Sequence, residues 1–250
     1  MNENKKFFTL RNILSILFVV VLLGLSVGRF YNYVSNYYPA SEEAWEYRNN
    51  PAEGITVVEN DNTIVFCPKN PTAGFIFYPG GLVETEAYAP LMEQLAEEGI
   101  ETILVKMPFY MAIFDANGAR HLQDKHPEIS DWYIGGHSLG GAMSAMYAGR
   151  HVSEYEGLVL LGAYSATDLS KSDLDVLLIS GSEDKVMNRE NYAKNLSKLP
   201  AGYTEIVIKG GCHSYFGDYG IQDGDGDPTI TVQQQTTETV KDIIDFINAK

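Results

Sequence analysis

The sequence predicts an α/β domain: a mostly parallel sheet with helices on both faces, preceded by an N-terminal apolar helix. Three observations predict it. From residue 55 onward, short β-branched or wholly apolar runs alternate with amphipathic stretches of about 10 to 15 residues, the pattern that β-α-β units leave. Several of those runs, such as "GFIFYP" and "LDVLLISG", are apolar throughout, as strands buried on both faces are. Ahead of them, "ILSILFVVVLLGLSV", Ile13 to Val27, carries no charge.

The chain has 250 residues, enough for one sizeable domain and tight for two. Apolar residues make up 45 % and charged residues 20 %, a composition that fills a core and argues against global disorder. The formal charge of −15 repels phosphate backbones, so nucleic acid is excluded as a partner class.

Lys5, Lys6 and Arg11 precede the apolar run, and Phe30, Tyr31, Tyr33, Tyr37 and Tyr38 follow it. Basic residues favour a cytoplasmic N-terminus, and amphipathic rings gather at the lipid–water boundary. The run is short for a span, about 15 to 17 residues against the usual 20 or so. Ser26-Val27-Gly28 has the small-x-small arrangement a signal peptidase reads. The expectation is therefore a membrane contact through residues 1–28, with the following domain outside the cytoplasm. Secretion after cleavage is the alternative. Residues 29–54 read as a linker and 55–250 as the domain.

Within the domain, "GITVVEN" and "NTIVFCP" flank the turn Asn60-Asp61-Asn62 and predict a hairpin. "GFIFYP" is a strand, "YAPLMEQLAEEG" a helix ending at Gly99, and "ETILVKMP" a strand. "ANGARHLQDKHPE" is expected as a helix and "DWYIGG" as a strand. Ser138 to Arg150 follows as a helix, then the strands "GLVLLGAY" and "LDVLLISG". "NRENYAKNLSKLP" is a helix, "YTEIVIKGG" a strand, and "TVQQQTTETVKDIIDFINAK" a terminal helix. The span from Ala163 to Leu174 is too short for a cap domain.

Gly136-His137-Ser138-Leu139-Gly140 matches G-x-S-x-G between a strand and a helix, the context of a nucleophile elbow. The turn is sharp, so Ser138 takes a strained conformation, and the two glycines lack the Cβ atoms that would collide there. A Ser hydroxyl is a poor nucleophile unless a base, itself held by an acid, takes its proton. Asp184 in "LLISGSEDKV" and His213 in "IVIKGGCHSYF" follow Ser138 in the order Ser, acid, His, each just after a strand. Glu183 is a rival acid. Ser138, Asp184 and His213 are the expected catalytic residues.

An oxyanion hole needs two N–H donors aimed at the developing charge. The helix start supplies Leu139. Pro79-Gly80-Gly81 after the strand "GFIFY" supplies Gly81, with Leu82 as the alternative. Phe109, Tyr110, Met111 and Phe114 follow another strand on the same edge, where they line an acyl pocket or pack in the core. The first three are the expected substrate-binding residues.

The segments "YPGGLVETEAYAPL", "VKMPFYMAIFDANGA", "IGGHSLGGAMSA", "LISGSEDKV" and "GGCHSYFGDYGIQDGDG" resemble an α/β-hydrolase, and within that superfamily the small capless dienelactone-hydrolase-like group. They cover most of residues 74–226. The resemblance implies an eight-stranded sheet and the Ser, Asp and His roles given above. Dienelactone hydrolases proper use a Cys nucleophile, whereas this chain has Ser138.

The expected function is hydrolysis of a small or medium acyl ester through an acyl-enzyme, with a small-molecule ester as partner. Thioesterase, peptidase and acyltransferase activities use the same residues, and a membrane-tethered binding protein is the reading from a different class. Oligomeric state is not legible. No cofactor and no metal is expected. There is no C-x-x-C or H-x-x-x-H spacing, and "DGDGD", Asp223 to Asp227, has Gln234 where a calcium loop needs its bidentate carboxylate, so it reads as a solvated turn. Cys67 and Cys212 are expected as buried thiols rather than a bridge. His137, inside the elbow, is expected to orient its neighbours by hydrogen bonding.

Overall fold

The computed structural model describes residues 10–249. Lys5 and Lys6 lie outside the described residues. The chain divides into two compact units, residues 1–37 and 38–250.

The first unit contains helix α1 (Leu10–Ser35). Its segment Asn12–Ser35, 24 residues, is long and apolar enough to cross a membrane. At about 1.5 Å per residue that is roughly 36 Å, against a hydrocarbon core of about 30 Å. The shortfall expected from the uncharged run disappears because the helix continues through Arg29 and the aromatic residues behind it.

In the second unit, helix α2 (Glu42–Asn49) starts at Ser41, whose Oγ accepts from Ala44 N–H at 2.9 Å. Residues 29–54, expected as a linker, thus hold the end of α1 and the whole of α2. The strands are β1 (Ile55–Glu59), β2 (Thr63–Pro68), β3 (Ala73–Tyr78), β4 (Ile100–Val105), β5 (Trp132–His137), β6 (Gly157–Leu161), β7 (Asp175–Gly181) and β8 (Thr204–Ile208). They form one eight-stranded sheet in the order β1-β2-β4-β3-β5-β6-β7-β8. Only β2 runs against its neighbours; the pairs from β4 to β8 are parallel. The β1–β2 hairpin forms as expected.

Helices α3 (Ala89–Glu97), α4 (Ser138–Ala148), α5 (Arg189–Asn195) and α6 (Val232–Asn248) cover the sheet. Side chains alternate along β3. Phe75 and Phe77 join Met92 and Leu95 of α3 and Ile243 of α6 on one face. Ile76 and Tyr78 join Ala145 and Ala148 of α4 on the other. Each fully buried Phe, Ile or Leu contributes about 1.5–3 kcal/mol, so both layers help hold the helices onto the sheet.

Two stretches differ from the regular pattern. "ANGARHLQDKHPE", expected as a helix, contains only a 3-10 turn at Gln123–Lys125. The Tyr78 hydroxyl ties this connection down instead, accepting from Ala119 N–H at 2.8 Å and donating to Ala116 O at 3.2 Å. Between β6 and β7, residues 162–174 contain no helix or strand, so no cap rises there.

The strand order reverses between β3 and β5, since β4 lies on one side of β3 and β5 on the other. Such a switch point opens a crevice at the C-terminal strand ends, where ligands bind in sheets of this kind.

Candidate active site

Ser138 sits at that crevice. All six residues of β5 are buried, and Ser138 opens α4 with φ 52°, a left-handed conformation that a residue with a Cβ rarely adopts. The flanking glycines answer close approach. A Cβ on Gly140 would lie 2.2 Å from the carbonyl oxygens of Tyr78 and Pro79, and one on Gly136 would lie 2.6 Å from Tyr78 O. The elbow is wedged against the end of β3, and its hydroxyl-bearing residue stays half-exposed.

Asp184 and His213 follow β7 and β8 and are buried, 5 % and 1 % exposed. His213 Nδ1 donates to Asp184 Oδ2 at 2.9 Å. Asp184 Oδ1 accepts from Val186 N–H at 2.9 Å and Met187 N–H at 2.8 Å, so the carboxylate is aimed by its own loop. Glu183, the rival acid, accepts instead from its neighbour Ser182 Oγ. His213 Nε2 makes no protein hydrogen bond, with Ser138 or otherwise. Such contacts often tighten only when substrate arrives.

Gly81 and Leu139 are neighbours: a Cβ on Gly81 would lie 3.0 Å from Leu139 Cδ2 and 3.5 Å from Leu139 Cβ. Leu82 N–H, the alternative donor, bonds to Tyr110 O at 2.8 Å. Gly80 N–H is committed too, to Tyr88 Oη at 2.9 Å. Of the expected substrate-binding residues, Met111 lies beside Gly81, its Sδ 3.4 Å from the Gly81 Cβ position. Tyr110 adjoins through its carbonyl. Phe109 is exposed, 56 %, and meets Phe114 edge-on at 5.7 Å, so neither ring is a core residue.

Four residues escaped the sequence reading. Tyr88 donates from its hydroxyl to His137 Nδ1 at 2.8 Å while accepting from Gly80. Burial above all, then the adjacent His213 ring, holds His137 well below the ordinary imidazole range, so it stays neutral and Nδ1 is free to accept. Gly162 follows β6 with φ 53°, and a Cβ there would press 2.9 Å from His213 Nδ1. Gln235 of α6 brackets Cys212, accepting from its N–H at 3.0 Å and donating to its carbonyl at 2.8 Å.

Asp225 is the fourth. Its carboxylate accepts from Ser214 Oγ at 2.7 Å, Ser214 N–H at 2.8 Å, Gly226 N–H at 2.8 Å and His213 N–H at 3.3 Å. Burial pushes this carboxyl up, but the bonds from Ser214, Gly226 and Lys185 outweigh it and hold it below the usual carboxylate range. The "DGDGD" loop, read as a solvated turn, is a brace for the His213 loop. The signal was there in an Asp hemmed by glycines shortly after the histidine. Cys67 and Cys212 are both free thiols.

Comparisons with known proteins agree with this architecture. The structure is similar to Est1E from Butyrivibrio proteoclasticus, with a TM-score of 0.58 at 17 % identity over 79 % of this chain and 100 % of that one. It is similar to carboxyl esterase 2 from Tuber melanosporum, with a TM-score of 0.58 at 13 % identity over 83 % and 89 % of the two chains. It is also similar to dienelactone hydrolase from Anabaena variabilis, with a TM-score of 0.53 at 14 % identity over 76 % and 97 %. At such identities the likeness is one of fold. No curated protein matches the chain by sequence. A sequence profile of the alpha/beta hydrolase family spans residues 74–237, from β3 through Ser138, Asp184 and His213 into α6, and the chain therefore belongs to the alpha/beta hydrolase family.

Proposed function

We propose that the protein hydrolyses carboxylic esters of small to medium acyl groups through an acyl-enzyme on Ser138. The observation that carries this reading is the left-handed Ser138, φ 52°, at the same strand edge as a buried Asp184–His213 pair 2.9 Å apart. Ser138 Oγ attacks the ester carbonyl as His213 Nε2 takes its proton. The N–H groups of Gly81 and Leu139 receive the oxyanion, and the positive end of the α4 dipole favours it. Collapse expels the alcohol, which takes the proton from His213. A water activated by His213 then attacks the acyl-enzyme and releases the acid. Asp184 holds the imidazole in the tautomer that leaves Nε2 as acceptor and stabilises the imidazolium.

Support for an ester rather than another acyl substrate comes from the structural neighbours, among them carboxyl esterase 2 from Tuber melanosporum. Est1E has been solved with ferulic acid bound. We read α1 as a retained membrane anchor that holds the catalytic unit outside the cytoplasm, with release after cleavage near Gly28 as the other outcome of fractionation.

The test is labelling with a fluorophosphonate, together with turnover of p-nitrophenyl butyrate, in wild type and Ser138→Ala. Wild type should label and turn over, and the variant should do neither, losing about 10⁴- to 10⁶-fold in rate. Turnover in the variant within tenfold of wild type would remove Ser138 as nucleophile. A thioester or amide preferred over the matched oxygen ester would move the substrate class.

A further inference from the structure

A second cluster of ligating side chains lies at the opposite end of the strands from Ser138. Glu101 is the second residue of β4, at its N-terminal edge. His126 and Glu128 come from the connection between β4 and β5, just before β5 begins. One nitrogen or oxygen atom from each of the three falls within 4.8 Å of the other two. His126 Nδ1 is 2.5 Å from Glu101 Oε1 and 4.0 Å from Glu128 Oε1. Glu101 is 4 % exposed, yet its Oε1 makes no hydrogen bond. Its contact with His126 is an ion pair only when that ring is protonated. Among the described residues no lysine or arginine pairs with Glu101 either. A carboxylate oxygen buried without a donor is costly, and here it is aimed at an imidazole nitrogen with a second carboxylate alongside.

We propose that Glu101, His126 and Glu128 bind a divalent transition-metal ion, zinc foremost, which ties the end of the β4–β5 connection to the sheet. One imidazole nitrogen and two carboxylate oxygens are a donor set that zinc accepts. Metal–ligand distances of about 2.0–2.2 Å place tetrahedral neighbours about 3.3–3.6 Å apart, so the short contact opens by about 1 Å and the long one closes by about half as much. Glu128 is exposed and free to make that adjustment. The place has a structural use. This connection lacks the α-helix that covers a crossover in regular α/β units, and a metal at its end pins what packing by a helix otherwise holds. The site is separate from the Ser138 chemistry and takes no part in it.

The experiment uses the detergent-solubilised full chain after treatment with a chelator. Zinc chloride is titrated by calorimetry, and cobalt chloride by emission of Trp132, whose ring lies 6.0 Å from that of His126, in a Trp45→Phe background. Wild type should bind one zinc ion per chain, gain in Tm, and show quenching of Trp132 by cobalt. Glu101→Gln, His126→Ala and Glu128→Gln should each weaken zinc by more than about tenfold, the scale at which even outer-shell partners matter. Glu128→Gln changes an exposed side chain and keeps the test valid if the buried variants fold poorly by circular dichroism. His151→Ala, which removes a remote His–Glu pair, should bind as wild type does. Absence of binding in wild type, or binding unchanged in all three cluster variants, overturns the proposal.

Discussion

The Tyr88 hydroxyl donates to His137 Nδ1 at 2.8 Å and accepts from Gly80 N–H at 2.9 Å, so one phenol joins the loop after β3 to the residue before Ser138. With Gly80 held this way, the next residue, Gly81, lies against Leu139, whose Cδ2 is 3.0 Å from the Gly81 Cβ position. Tyr88→Phe keeps the ring and loses both bonds. It should lower kcat for ester hydrolysis by about 10- to 100-fold with KM little changed, because a donor displaced from the developing oxyanion weakens only the transition state. A change confined to KM in steady-state kinetics would mean that the phenol shapes substrate binding instead.

Asp184→Asn should slow turnover by about 10⁴-fold, since an amide at this position favours the wrong imidazole tautomer. Glu183→Gln should stay within a few-fold of wild type, because that carboxylate bonds to Ser182 and not to His213. Parallel kinetics on the two variants rank the acids, and the opposite ranking would reassign the role.

Asp225→Asn should leave the chain folded but loosen the His213 loop, where the carboxylate gathers Ser214, His213 and Gly226. One amide oxygen cannot replace two carboxylate oxygens across those donors. An expected loss of about 10-fold in kcat/KM should come with a lower Tm at pH 7, as charge-assisted bonds are each worth about 1.5–3 kcal/mol. The stability difference should shrink on acidification. A carboxyl whose folded pKa is depressed stabilises above its unfolded value of about 3.9 and loses that contribution as pH falls through the folded one. Thermal melts at pH 7 and pH 3 check the sign.

Glu93 gives the opposite sign. It is 4 % exposed on α3, its Oε2 has no partner, and burial, opposed by a bond from Ala52 N–H, pushes it up to about 7. Between about pH 4.3, its unfolded value, and pH 7 the folded state holds the extra proton, so stability falls as pH rises through that window. Glu93→Gln removes the charge and should raise Tm by about 2–5 °C at pH 8 with little change at pH 4.5. Equal melting shifts at both pH values would show that the side chain matters by shape and not by charge.

Hydrolysis of p-nitrophenyl esters should peak at roughly two to six acyl carbons. Residues 162–174 raise no helical cap, and of the expected substrate-binding side chains Met111 is the one placed beside Gly81. Each added CH₂ gains about 0.8 kcal/mol only while there is wall to cover it. A steady rise in kcat/KM through twelve carbons would point to a long acyl groove.

The alternation of apolar runs, the G-x-S-x-G spacing and the order of Ser138, Asp184 and His213 were legible because each is a local property. A strand buried on both faces must be apolar throughout, and a sharp elbow demands glycines at fixed offsets wherever the chain goes next. Those rules placed the strands and the three residues at the strand ends. One local pattern misled. Residues 116–128 have the composition of a helix, yet the connection is held by long-range bonds to Tyr78, and weak helix propensity lost to tertiary contacts.

What only the tertiary structure decided is which groups meet. Asp184 against Glu183, and Gly81 against Leu82, differ by one position in sequence. They are separated by the direction of a hydrogen bond to a residue 29 positions away in the first case and by a carbonyl of Tyr110 in the second. Tyr88 and Gly162 reach the site from other strands and loops, and nothing in their own neighbourhoods announces it, whereas Asp225 is marked only by the glycines on either side of it. The same holds for Glu101, His126 and Glu128, drawn together by the pairing of β4 with its neighbours and the return of the chain to β5. A hydrogen bond or a ligand set is a relation in space, effective over about 3 Å and sharply directional, and a sequence records it only where the partners are also neighbours along the chain.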